Sequence, residues 1–102
     1  MVTDKSEIHK IIKSHHSSIQ RFGAERLGLF GSFVRGEQKD GSDIDILVEF
    51  EEGKKTFRNY LNLADYLEML LNRKVDLLTW ESMVSFVQRN VKDEIEYVTF
   101  AD

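Results

Sequence analysis

Asp43 and Asp45 stand two positions apart in Ser42-Asp43-Ile44-Asp45-Ile46. Residues 33–42 separate them from Gly31-Ser32, which follows a short apolar run. Residues two apart in a strand lie about 6.6 Å apart along the backbone and project to the same side, so two carboxylates at that spacing converge. Two anions held together repel and raise one pKa unless a positive charge lies between them. Mg²⁺ suits that role, because it takes oxygen ligands and shares its shell with substrate phosphates and water. Gly31 permits close approach of backbone to a ligand, and a helical turn starting at Ser32 would aim N–H groups and a hydroxyl at an anion. Phosphate on one side and metal carboxylates on the other describe a nucleoside triphosphate site. A third acid, Asp76, lies in the otherwise apolar Lys74-Val75-Asp76-Leu77-Leu78, where a charge is costly without a partner. If that segment runs beside the Asp45 strand, Asp76 joins the pair as a metal ligand and as a base for an attacking hydroxyl.

The elements that must position these residues follow from apolar periodicity. Ile8, Ile11, Ile12, Ile19 and Phe22 give one face of a helix over residues 3–22, with Gly23 placed to end it. Residues 27–30 read as a buried strand followed by a turn at Gly31-Ser32. Over residues 42–51, Ile44, Ile46, Val48 and Phe50 alternate with Asp43, Asp45, Leu47 and Glu49, which makes this the clearest strand. Phe57, Tyr60, Leu61, Ala64, Leu67, Leu70 and Leu71 form a second helical stripe, and a third strand covers 74–78. A last helix is expected to begin near Trp80 and to turn Met83, Val84, Val87, Val91 and Ile95 inward, ahead of a tail over 97–102. Three strands alternating with helices predict an α+β fold, a small mixed sheet covered by about four helices, in one domain over residues 1–102.

Composition narrows the chemistry. The chain has 102 residues, no Cys and a formal net charge of −4. The missing Cys excludes disulfides, thiolate nucleophiles and Cys-based metal sites. The acidity argues against a polynucleotide-binding groove. With no apolar stretch near the ~20 residues of a membrane span and no signal-peptide pattern, a cytoplasmic protein is expected. Gly31 and Gly36 have P-loop spacing, but Glu37-Gln38 stands where Lys-Ser/Thr is required. An EF-hand starting at Asp43 fails on Leu47 and on the missing sixth-position Gly. His9, His15 and His16 lack an acid or Cys at metal spacing and read as surface or partly packed residues. Arg35 is open to two roles, steering a phosphate or pairing with Glu37 or Asp40.

Gly31-Ser32, Asp43-Ile44-Asp45 and the later strand with Asp76 resemble the DNA polymerase beta-like nucleotidyltransferase superfamily, over residues 27–79, and the chain's length is similar to its minimal nucleotidyltransferase (MNT) branch. The resemblance implies a palm-like sheet and transfer of a nucleoside monophosphate, usually from ATP, to a hydroxyl. It implies that Gly31 and Ser32 hold the triphosphate with Arg35 nearby, that Asp43 and Asp45 bind two Mg²⁺, and that Asp76 completes the metal site and activates the acceptor. Proteins of this branch commonly look like antitoxins of HEPN-domain ribonuclease toxins, some of which they inactivate by adding AMP to a tyrosine. Such a HEPN toxin is the expected partner. Two other expectations stay open: a non-catalytic module that occludes its partner, and nucleotidyl transfer to a small acceptor. Seven acids and one base between Glu37 and Glu52 place much of the net negative charge at the expected metal site.

Overall fold

The computed structural model describes residues 2–98 and Phe100; Thr99, Ala101 and Asp102, which belong to the expected tail, lie outside the described residues. The first helix is two. Helix α1 (Lys5–Ser14) is capped by Asp4, whose carboxylate accepts the Glu7 N–H at 3.0 Å, and α2 spans His16–Arg21. The break falls at His15, where the rings of His15 and His16 lie 2.9 Å from the carbonyls of Ile11 and Lys13. Side chains that take the last-turn carbonyls end a helix as a cap does. Ile8, Ile12 and Ile19 are buried on one side of both helices, so the predicted face survives the break.

Strand β1 (Ala24–Phe30) runs into the single-turn helix α3 (Ser32–Arg35), and β2 covers Ile44–Phe50. Helix α4 (Phe57–Leu71) starts at Thr56, whose hydroxyl accepts the Asn59 N–H at 3.1 Å, and ends at Asn72 with φ +51°. Strand β3 (Val75–Leu78), a 3₁₀ turn (Trp80–Ser82), α5 (Ser85–Glu94) and β4 (Glu96–Val98) complete the order. Five α-helices and four strands among the described residues thus replace the expected four and three. The sheet order is β3-β2-β1-β4, with β2 and β3 parallel and the other pairs antiparallel. Parallel neighbours need a crossover, and α4 supplies it.

The alternation in β2 divides the core. Ile44, Ile46 and Val48 join Ile8, Ile12, Leu63, Leu67 and Leu71 under α1, α2 and α4, whereas Leu47 packs with Phe30, Met83 and Val91 under α5. Two expectations about helix faces are corrected. The buried row of α4 runs Leu63-Leu67-Leu71, keeping Leu67 and Leu71 of the expected stripe and adding Leu63, while Phe57 and Leu61 of that stripe lie exposed. The last helix begins at Ser85 rather than near Trp80, and Val84 just before it points to solvent. Among the described residues no helix is long and apolar enough to cross a membrane.

Candidate active site

Register brings the predicted residues to one corner. Asp45 pairs with Phe30 on β1 and with Asp76 on β3, so the two acids are direct cross-strand neighbours, although 31 positions separate them in sequence. Gly31 follows Phe30 with φ +80° and ψ −154°, a conformation open in practice only to glycine. A methyl group built on Gly31 would sit 2.0 Å from Asp45 Oδ2, so the carboxylate rests directly against the glycine Cα. Glycine is therefore required here twice, by dihedral angle and by contact. Ser32 opens α3 at the same corner, and Asp43 lies one residue ahead of β2, exposed to solvent. Asp76 is also exposed, on the outer strand of the sheet, so its charge is tolerated there by solvation and not by a buried partner.

Asp45 carries the strain of the cluster. Burial, reinforced by the charges of Asp76 and Asp43, pushes its pKa from 3.8 up to about 6; Arg35 opposes the shift. Arg35 itself is held in two ion pairs. Its Nε donates to Glu37 at 2.9 Å and its Nη1 to Glu94 at 3.1 Å, so the pairing role expected with Glu37 is present and the one with Asp40 is not.

Two residues at this corner were not singled out from sequence. Arg73 donates to the carbonyls of Ser42 (2.7 Å), Val2 (3.1 Å), Lys39 (2.6 Å) and Asp40 (2.9 Å), with its guanidinium 5.0 Å from the centre of the Phe33 ring. It thereby pins the loop that delivers Asp43 to the end of α4, a use of the planar, many-donor guanidinium that lysine cannot reproduce. Glu94 accepts the Gly31 N–H at 2.5 Å. Neither has a local signal: Arg73 follows a plain helix end, and Glu94 closes the charged run Lys92-Asp93-Glu94.

The donor set suits Mg²⁺. Three carboxylates supply hard oxygens, and a cation would offset the burial and the neighbouring acids that raise the pKa of Asp45. Among the described residues no three such side chains are already drawn around one point. A Mg²⁺ site needs no such cage, since one or two carboxylates plus substrate phosphates and water commonly complete it. The histidines stand apart from this corner: His9 lies 3.3 Å from Glu96, and the His16 ring centre lies 6.1 Å from that of Phe100.

Comparison with known proteins identifies the family. The family model of the nucleotidyltransferase domain matches residues 5–98. The protein adenylyltransferase MntA of Thermococcus cleftensis is 43% identical over 93 residues, covering 90% of this chain and 93% of that protein. A solved structure provisionally described as a minimal nucleotidyltransferase superposes with a TM-score of 0.78 at 33% identity, over 92% of this chain and 95% of that one. The same fold occurs in a complex described as a tri-AMPylated Shewanella oneidensis HEPN toxin with an MNT antitoxin, at a TM-score of 0.61 and 20% identity, over 91% of this chain and 73% of the matched one. On the family model and a relative matched along nearly its whole length, the chain belongs to the nucleotidyltransferase domain family and is a nucleotidyltransferase.

Proposed function

We propose that the chain is a Mg²⁺-dependent protein adenylyltransferase that transfers AMP from ATP to a tyrosine hydroxyl of a HEPN-type ribonuclease toxin, and so acts as its antitoxin. The observation that carries this reading is the packing of Asp45 between the Gly31 backbone and Asp76, which sets a glycine turn beside paired acids. The relative named a protein adenylyltransferase, matched along nearly its whole length, supports protein as the acceptor. The AMPylated HEPN toxin in the Shewanella complex supports the partner class.

In this reading Gly31 and Ser32 hold the triphosphate, with Arg35, paired to Glu37 and Glu94, near its phosphates. Asp43 and Asp45 would hold two Mg²⁺ ions, with Asp76 completing the set; when bound, the metals neutralise charge on the phosphates. The acceptor oxygen forms a bond to the α-phosphorus of ATP while the bond from that phosphorus to the α,β-bridging oxygen breaks. Pyrophosphate leaves with the electron pair, and the acceptor proton passes to a carboxylate oxygen of Asp76. Because Asp76 is exposed on an outer strand, a tyrosine on another protein can reach it from the open edge of the sheet.

The test incubates the chain with Mg²⁺, labelled ATP and a candidate HEPN-type partner protein. The expected result is AMP on a partner tyrosine, found by mass spectrometry and lost with Asp43→Asn; label that persists in that variant overturns the mechanism. A second reading, neutralisation by occlusion, draws on Phe57, Leu61 and Met69, which lie exposed along α4. Neutralisation that survives Asp43→Asn combined with Asp45→Asn, with no modified partner, would favour it.

A further inference from the structure

The pairing of β1 with β4 runs Leu27 to Val98, Gly28 to Tyr97 and Leu29 to Glu96. Continued by two residues, that register sets Gly31 opposite Glu94. Strand β4 has by then given way to α5, of which Glu94 is the last residue, so no strand carbonyl faces the Gly31 N–H. The Glu94 side chain stands in for it. Its Oε2 accepts the Gly31 N–H at 2.5 Å, and its two oxygens lie 3.1 and 3.3 Å from Arg35 Nη1. One carboxylate thus holds both ends of α3, the glycine that starts it and the arginine that finishes it. A four-residue helix has no stability of its own, so what brackets it sets its position.

Glu94 is well anchored for this task. Val91, one turn earlier, is buried, and the Ile95 N–H donates to the Val91 carbonyl at 2.8 Å. Ile95 packs so closely on Gly28 that a methyl group there would lie 2.6 Å from Ile95 Cδ1. The bare glycine lets the α5–β4 corner settle onto β1, which fixes where the Glu94 carboxylate falls. Arg35 balances the negative charge that this carboxylate brings to a loop read as binding phosphate.

We propose that Glu94 is a positioning residue for nucleotidyl transfer: by extending the β1–β4 ladder with a side chain, it holds Gly31 and the α3 turn in the arrangement that receives the triphosphate beside Asp45. The proposal rests on the triphosphate reading of Gly31-Ser32. Two variants test it. Glu94→Gln keeps an acceptor for the Gly31 N–H but loses the charge facing Arg35, whereas Glu94→Ala loses both.

The first measurement is hydrogen exchange of the Gly31 amide in nucleotide-free protein. We expect about tenfold or faster exchange in Glu94→Ala and nearly wild-type exchange in Glu94→Gln, with melting temperature followed to confirm folding. The second is binding of a non-transferable ATP analogue with Mg²⁺, together with KM and kcat for ATP. We expect Glu94→Ala to weaken binding and raise KM about 10- to 100-fold, and Glu94→Gln to stay within about threefold of wild type. A lost contact that matters only for folding would lower the melting temperature and leave KM in place. The proposal is overturned if the Gly31 amide is unaffected in Glu94→Ala, if that variant binds the analogue as well as or better than wild type, or if Glu94→Gln is as impaired as Glu94→Ala. Wild-type protein with a protected Gly31 amide that binds no analogue would instead strike the triphosphate reading, and the positioning role with it.

Discussion

The two faces of the sheet are built for different ends. The face toward α1, α2 and α4 is closed and apolar, with Ile8, Ile12, Leu27, Leu29, Ile44, Ile46, Leu63, Leu67 and Leu71 all at or below 1% exposure. The face toward α5 has a smaller buried cluster, Phe30, Leu47, Met83 and Val91, with Leu78, Trp80, Val87 and Ile95 half-buried against it, and beside it stand Asp45, Glu49 and Glu94. Each strand serves both faces at once, because alternate residues project to opposite sides. Apolar burial on the closed face can therefore offset the cost of crowding carboxylates on the other, and a residue's face should decide whether its loss harms folding or chemistry.

The largest expected effect breaks chemistry alone. Asp43→Asn or Asp45→Asn should lower nucleotidyl transfer about 10³-fold, a magnitude like that of losing a preorganised electrostatic group, without lowering the melting temperature. Leu67→Ala on the closed face should do the reverse: a loss of about 2–5 kcal/mol, seen as a fall of roughly 10 °C or more in melting temperature, with the rate per folded molecule unchanged at 25 °C. Gly31→Ala sits at the seam and should damage both. Its positive φ and the clash with Asp45 should cost about 1–3 kcal/mol, and transfer should fall at least about tenfold.

The smallest effect sharpens the contrast through pH. Asp45 has a folded pKa of about 6, above its ordinary 3.8, so the folded state binds its proton more tightly than the unfolded chain does. Its contribution to stability is therefore lost as pH rises from about 4 to 6 and is constant beyond. Asp45→Asn should accordingly melt no lower than wild type at pH 4 and higher above pH 6, by about 1 kcal/mol after solvent screening, or roughly 5 °C. A melting-temperature difference that shrinks with rising pH would contradict this assignment.

The parts of the site that depend on local pattern were legible in the sequence. Asp43 and Asp45 in an alternating run, Gly31-Ser32 after an apolar segment and Asp76 in a later strand each announce themselves within a few residues, and the family resemblance supplied their grouping. The two faces of β2 were legible for the same reason. Features set by distant partners were not. The break at His15 depends on which carbonyls two imidazoles reach, and β4 has only three residues, too few to show alternation. Helix α4 carries apolar residues on more than one side, so periodicity admitted a stripe through Phe57 and Leu61 that the packing rejects. Glu94 and Arg73 act across 63 and 31–71 positions of chain, and a charged residue in a charged run gives no hint of such a reach.

The crossover through α4 also bears on the order of events during folding. A hairpin of β1 and β2 can form early, since its pairing is nearly local, but it brings Gly31 to Asp45 and nothing more. Asp76 can arrive only after the chain has made the whole excursion from Phe50 through α4 and docked β3 in parallel. Under the role proposed for Asp76, catalytic competence should thus return late in refolding, after compaction and helix content. In the proposed reading, a fragment ending before β3 would lack the Asp76 carboxylate that stands opposite Asp45 and could not complete the site.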